Sequence, residues 1–188
     1  MAEITTAEKR TVSVDSPSGG LSTRDLILVA VLLAAGAVLK LTVASFLTFG
    51  GMKPNFIIAM YALAVILTRP RIPQALVIGL IAGLMCQLPL LAATPLANIF
   101  SETVGGLVCG LAILVPLRFG KVDANPFATT FVTTIASGYA FVAFLSVANG
   151  IALPAALAAY SVMVVGTAVF NAILAQILVV PLRAVLKR

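Results

Sequence analysis

From about residue 26 to about residue 181 the chain is a succession of long apolar runs, broken only by short segments rich in proline, glycine, asparagine and charge. A run of roughly 20 apolar residues matches the hydrocarbon thickness of a bilayer, and inside that layer every backbone polar group must find its partner within the protein. The pattern therefore predicts membrane-spanning helices. Composition agrees. Of 188 residues, 61% are hydrophobic and 10% charged, with a mean hydropathy of +1.16, which leaves too little polar surface to cover a water-soluble domain.

Six spans are expected, at about residues 26–46, 54–68, 74–91, 96–117, 126–148 and 154–181, the second being short. Ser22, Thr23 or Asp25 can cap the first. Pro54 and Pro154 suit first helical turns, while Arg69-Pro70-Arg71-Ile72-Pro73 breaks the helix between the second and third spans. Residues 1–22, polar and ending in Ser16-Pro17-Ser18-Gly19-Gly20, are expected to form a flexible tail, leaving residues 23–188 as one transmembrane domain. A cleaved signal peptide is not expected, because the first apolar run begins late and is long enough to span.

Charge then orients the bundle. Lys9, Arg10, Arg24, Arg69, Arg71, Arg118, Lys121, Arg183, Lys187 and Arg188 fall on one side of a six-span arrangement, leaving only Lys40 and Lys53 elsewhere. The positive-inside tendency makes that side cytoplasmic, with both termini on it. The net charge of +6 is thus spent on topology, and no dense basic run points to nucleic acid. Cys86 and Cys109 lie within apolar stretches and read as small packing residues.

Glu102 is the one acidic residue deep in a span, and charges at such depth usually face a bundle interior or cavity. It lies roughly 9 Å below the start of its helix, with Asn98 one turn above on the same face and Gly106 and Gly110 below. Two readings follow: Glu102 pairs with Lys40, or it lines a pocket. Lys53, beside Gly50-Gly51 and Pro54, sits at the expected outer mouth. There it either snorkels to the interface or, with Glu102, holds opposite ends of a zwitterion. Asn55, Gln87, Asn98 and Tyr160 are further candidates for the same outer half, with Thr94 beside them. Asn149 reads as a turn residue, and Asn171 and Gln176 as interhelical hydrogen-bonding groups. Ala30 and Ala34 share a helix face and permit close approach of another helix.

Histidine is absent, which removes imidazole-based metal sites and general bases, and no glycine-rich phosphate loop is present. A catalytic role, a bound metal and a cofactor are therefore not expected. Paired broken helices of the secondary-transporter kind are not evident either.

The stretch Gly50-Gly51-Met52-Lys53-Pro54-Asn55-Phe56, then Ala64-Val65-Ile66-Leu67 and Val77-Ile78-Gly79-Leu80-Ile81-Ala82-Gly83, resembles the tryptophan-transporter family of S components, the substrate-binding subunits of energy-coupling factor (ECF) transporters. The similarity spans the membrane portion. The spacing of Ala30 and Ala34 is similar to the contact by which S components dock onto the T component. Residues Ala92-Ala93-Thr94-Pro95-Leu96-Ala97 depart from the glycine- and threonine-rich stretch of that pattern. The resemblance implies a six-helix bundle in the cell membrane, an outward pocket capped by the first extracellular loop, and ATP hydrolysis on separate ATPase subunits. The expected function is uptake of a small amphipathic solute, tryptophan first. Alternatives are another aromatic amino acid or a vitamin as the solute, or a small helical channel or assembly protein.

Overall fold

A computed structural model describes residues 20–47, 54–119 and 122–187. Among these, the chain forms seven helices and one two-stranded hairpin: α1 (Thr23–Leu41), α2 (Val43–Phe46), α3 (Phe56–Thr68), α4 (Ile72–Met85), α5 (Pro95–Ala112), β1 (Arg118–Phe119), β2 (Val122–Asp123), α6 (Asn125–Asn149) and α7 (Leu153–Leu186).

Local chemistry sets most of the boundaries. Ser22 caps α1 through a reciprocal box: its Oγ accepts from the Asp25 N–H at 3.2 Å, and the Asp25 carboxylate accepts from the Ser22 N–H at 3.0 Å. The first expected span is not one continuous helix. It breaks at Thr42, whose hydroxyl donates back to the Val38 carbonyl at 2.7 Å, a bond that competes with the helical ladder and bends it. Helix α3 stops at Arg69, which turns left-handed at φ 46° ahead of Pro70. Helix α4 starts with the Arg71 N–H donating to Gln74 Oε1 at 2.9 Å and with proline in its first turn. It ends at Met85, short of the expected residue 91. Helix α6 closes on Gly150 at φ 64°.

Helix α7 corrects the expectation of an end near Pro181, for it runs through that proline to Leu186. The ring removes one intrahelical donor, but the surrounding turns continue and bring Arg183 onto the β1–β2 hairpin, 2.8 Å from Asp123.

Helix α3 is the central element, with 12 of its 13 residues buried, Phe56 through Leu67. It touches α1, α4, α5, α6 and α7, while α4 to α7 pack as successive neighbours. Helices α5, α6 and α7 are long and apolar enough to cross a bilayer; α3 and α4 are apolar but shorter. The 13 residues of α3 extend only about 20 Å against a hydrocarbon core of about 30 Å. Outward-facing Leu, Val and Ile along α1, α5, α6 and α7 are exposed, as expected of helices solvated by lipid.

The seam between α4 and α5 is the tightest contact. A Cβ built on Gly79 would lie 2.8 Å from the Gly106 Cα, and one built on Gly83 2.7 Å from the Ile99 Cα. Such backbone-to-backbone approach is how helices associate where lipid removes the hydrophobic drive between them. On the hairpin side, Gln176 donates to the Asp123 carbonyl at 3.0 Å and accepts from the Phe127 N–H at 3.0 Å. Asn171 donates to the Asn55 carbonyl at 3.1 Å and to the Thr134 hydroxyl at 3.3 Å. Both residues therefore serve as interhelical links.

Candidate functional site

The first turns of α5 carry Asn98, Ser101 and Glu102, all buried, on a helix whose outward residues Leu96 and Phe100 are exposed. Their side chains face a cavity of about 680 Å³, a volume in the range of small-molecule sites. Its walls come from five elements and a loop: Lys40 at the end of α1, Asn55 and Ile58 at the start of α3, residues 90–94 between α4 and α5, Glu102 and its neighbours on α5, Thr134, Ser137 and Phe141 on α6, and Tyr160, Met163, Val164 and Thr167 on α7.

Glu102 is the polar centre. One carboxylate oxygen accepts from Asn55 Nδ2 and the other from the Ser137 hydroxyl at 3.2 Å. The Tyr61 hydroxyl lies beside Gly105 and near Glu102, yet makes no hydrogen bond of regular geometry. Asn55 presents its Oδ1 unpaired and buried. Asn171 holds Asn55 in turn, so a chain of amides fixes the mouth of α3 against α7 while α3 fixes one side of Glu102.

Lys40 is 5% exposed and also lines the cavity. Its ammonium donates to the Cys86 Sγ at 3.6 Å. Among the described residues it makes no ion pair with Glu102; the ion pair found is Arg183 with Asp123. The first reading of Glu102, a simple pair with Lys40, therefore does not describe the geometry.

The cavity brings together Asn55, Asn98, Glu102 and Tyr160 from the sequence candidates, with Thr94 and Asn149 at its margin. Gln87 does not line it. That amide donates to the Gly83 and Pro95 carbonyls at 3.1 and 2.8 Å and so ties the end of α4 to the start of α5. Lys53, with Gly50, Gly51 and Met52, lies outside the described residues. Ala30 and Ala34 are both exposed on the outer face of α1. Sequence reasoning passed over Ser137, Thr134 and Thr167, and took Lys40 only as a partner for Glu102. A signal was present on α6: Thr130, Thr133, Thr134 and Ser137 recur at helical spacing in an otherwise apolar segment, and all four are buried.

A helical membrane bundle with a solute-sized cavity, lined by a buried acid, a buried lysine and several amide and hydroxyl groups among apolar side chains, is the architecture of a membrane protein with room for a small polar solute. The family Tryptophan transporter TrpP matches residues 22–187, and the chain belongs to it. The chain is 30% identical over 171 residues to the probable tryptophan transport protein of Bacillus subtilis (strain 168), with 89% of this chain and 95% of that protein covered. No solved structure matches.

Proposed function

We propose that this chain is the substrate-binding subunit of a tryptophan importer of the cell membrane, energised by a separate T component and ATPase subunits. What carries the reading is the cavity of about 680 Å³ around the buried Glu102, in a chain of the tryptophan transporter family. The charged wall suits an amino acid backbone, and Phe141, Met163 and Val164 suit an indole. In this reading the bundle crosses the membrane six times with both termini cytoplasmic, the short α3 and α4 counting as crossings. The outer face of α1 with Ala30 and Ala34 serves as the docking surface for the T component.

The chain contains no tryptophan, so indole emission from a bound ligand is free of protein background. Titrating the purified chain with L-tryptophan is expected to give a saturable, one-to-one blue shift of ligand emission. Ligand at about 100 times its dissociation constant is expected to add about 2.7 kcal/mol of stability. Saturation by a vitamin or another aromatic amino acid, with none by tryptophan, would reassign the solute. No saturable binding at all would favour a channel or assembly role. For topology, cysteines introduced at Ser22 and Gly120 are expected to label only from the cytoplasm, and one at Gly50 only from outside.

A further inference from the structure

Two opposite charges are buried on the walls of one cavity, and they are served very unequally. Glu102 accepts hydrogen bonds from Asn55 and from Ser137. Among the described residues Lys40, 5% exposed, has only the Cys86 sulfur at 3.6 Å as a hydrogen-bond acceptor, and a thiol is a weak acceptor; Glu102 attracts it without touching it. A buried ammonium without a strong acceptor costs several kcal/mol, and direct pairing with Glu102 would repay it. The bundle does not make that pair: Lys40 stands on α1 and Glu102 on α5, with open cavity reaching both side chains. An anion entering the cavity from outside the chain would supply the acceptor that Lys40 lacks.

We propose that Lys40 is the specificity-determining residue for the substrate's acid group: its ammonium binds the α-carboxylate of the amino acid while Glu102 binds the α-ammonium. The inference rests on reading the cavity as an amino-acid site, and it assigns to Lys40 the role that sequence reasoning gave to Lys53. The two ends of a zwitterion then replace the ion pair that the fold holds open. An occupant with one charge satisfies one wall and leaves the other uncompensated. Selection against indoles lacking the carboxylate or the ammonium follows directly.

The test uses the full chain in nanodiscs and three indole ligands read by their own fluorescence: L-tryptophan, tryptamine without the carboxylate, and indole-3-propionate without the ammonium. Wild type is expected to bind tryptophan more tightly than either analogue. Lys40→Met is expected to weaken tryptophan and indole-3-propionate by roughly 10- to 100-fold while leaving tryptamine within about twofold. Lys40→Arg keeps a cation and is expected to recover most of the loss. Lys53→Met is expected to show no carboxylate-selective loss.

The proposal is overturned if Lys40→Met binds tryptophan as wild type does, if it weakens all three ligands alike, or if the carboxylate-selective loss appears with Lys53→Met instead. Should Lys40→Met fail to fold, the Lys40→Arg variant and the wild-type order of the three ligands decide: equal affinity of wild type for tryptophan and tryptamine also overturns it. Wild type that binds no amino acid defeats the functional reading itself, an outcome distinct from a Lys40 variant that binds normally.

Discussion

Helix α5 meets α4 on one side and α6 on another, and the two contacts are built from opposite materials. Toward α4, Gly79 and Gly83 let backbone lie against backbone, with no room for a single added carbon. Toward α6, Glu102 and Ser137 meet through a hydrogen bond at 3.2 Å beside an open cavity of about 680 Å³. An internal void forgoes dispersion contacts and costs stability. A dry glycine seam is where a membrane helix can recover such contacts, since lipid supplies no hydrophobic drive between helices. The comparison teaches a division of labour along one helix: one face holds α5 in place so that the other need not be filled.

The largest effect is expected at the seam. Gly79→Leu places a branched side chain where even a Cβ would sit 2.8 Å from the Gly106 Cα and 2.9 Å from its nitrogen. Overpacking against rigid backbone has no flexible neighbour to yield, so a loss of about 3 kcal/mol or more is expected. Fluorescence-detected gel filtration after a temperature ramp should show the variant aggregating far below wild type. Normal melting would mean that the seam is not what holds α5.

Glu102→Gln should produce the converse. Removing a buried charge relieves its own desolvation cost but also removes the attraction that Glu102 exerts on the buried Lys40. These opposed effects are expected to leave the melting temperature little changed, while tryptophan affinity falls by roughly 10- to 100-fold. Isothermal titration beside a melting curve separates the two. A variant that melts early and binds normally would make Glu102 a structural residue and erase the contrast between the faces.

How far the two faces could be seen in the sequence follows from what marks each of them. The cleft announced itself, because an acid in an apolar run is expensive and Asn98 stands one turn away on the same face. The glycines at 79, 83, 106 and 110 were visible too, yet small residues are common in such helices, and nothing local says which glycine meets which. That pairing is a tertiary fact. Lys40 shows the limit most clearly: its sequence position suggested an ion pair with Glu102, whereas the two charges line one cavity and influence each other without direct contact. Gln87 misled for the opposite reason. An amide near a helix end has carbonyls within easy reach, and the local bonds to Gly83 and Pro95 took it. The helical, membrane-type character was legible from apolar run length, but the division into helices, with the break at Thr42 and the passage of α7 through Pro181, was not, since propensity in those places yields to packing.

A smaller effect tests whether the cleft is held open from behind. Asn171 is fully buried and donates to the Asn55 carbonyl, two steps from Glu102 and outside the cavity lining. Asn171→Leu removes that hydrogen bond and the one to the Thr134 hydroxyl, leaving the Asn55 carbonyl only the longer bond from the Ile58 N–H at 3.4 Å, a loss of order 1 kcal/mol. If Asn55 positions Glu102, tryptophan affinity is expected to fall about fivefold, with tryptamine falling in parallel because the carboxylate wall is untouched. Unchanged affinity with reduced stability would confine Asn171 to packing.

The smallest effect is expected farthest from both faces, at the hairpin that joins α5 to α6. Arg183 Nη1 lies 2.8 Å from Asp123 Oδ2, the two side chains being 31% and 29% exposed, and the Asn125 N–H donates to Oδ1 at 3.2 Å. Partial burial alone would push the Asp123 carboxyl up. The Arg183 hydrogen bond, the Asn125 N–H and the charges of Arg183 and Arg118 together outweigh it and hold the group below the ordinary carboxylate range. A carboxyl lowered by folding contributes its stability above the unfolded value, about pH 4, and loses it as pH falls through the folded value. Asp123→Asn is therefore expected to lower stability at neutral pH by less than about 1 kcal/mol, as for partly exposed pairs, with the difference from wild type closing in acid. Melting curves across that pH range measure the closure, and titration with tryptophan at neutral pH gives the decisive arm. Because the pair fastens the end of α7 to the hairpin and touches neither the seam nor the cavity, affinity should not change; a weakened site would mean that α7 transmits the state of the hairpin to Tyr160 and Thr167 in the cavity wall.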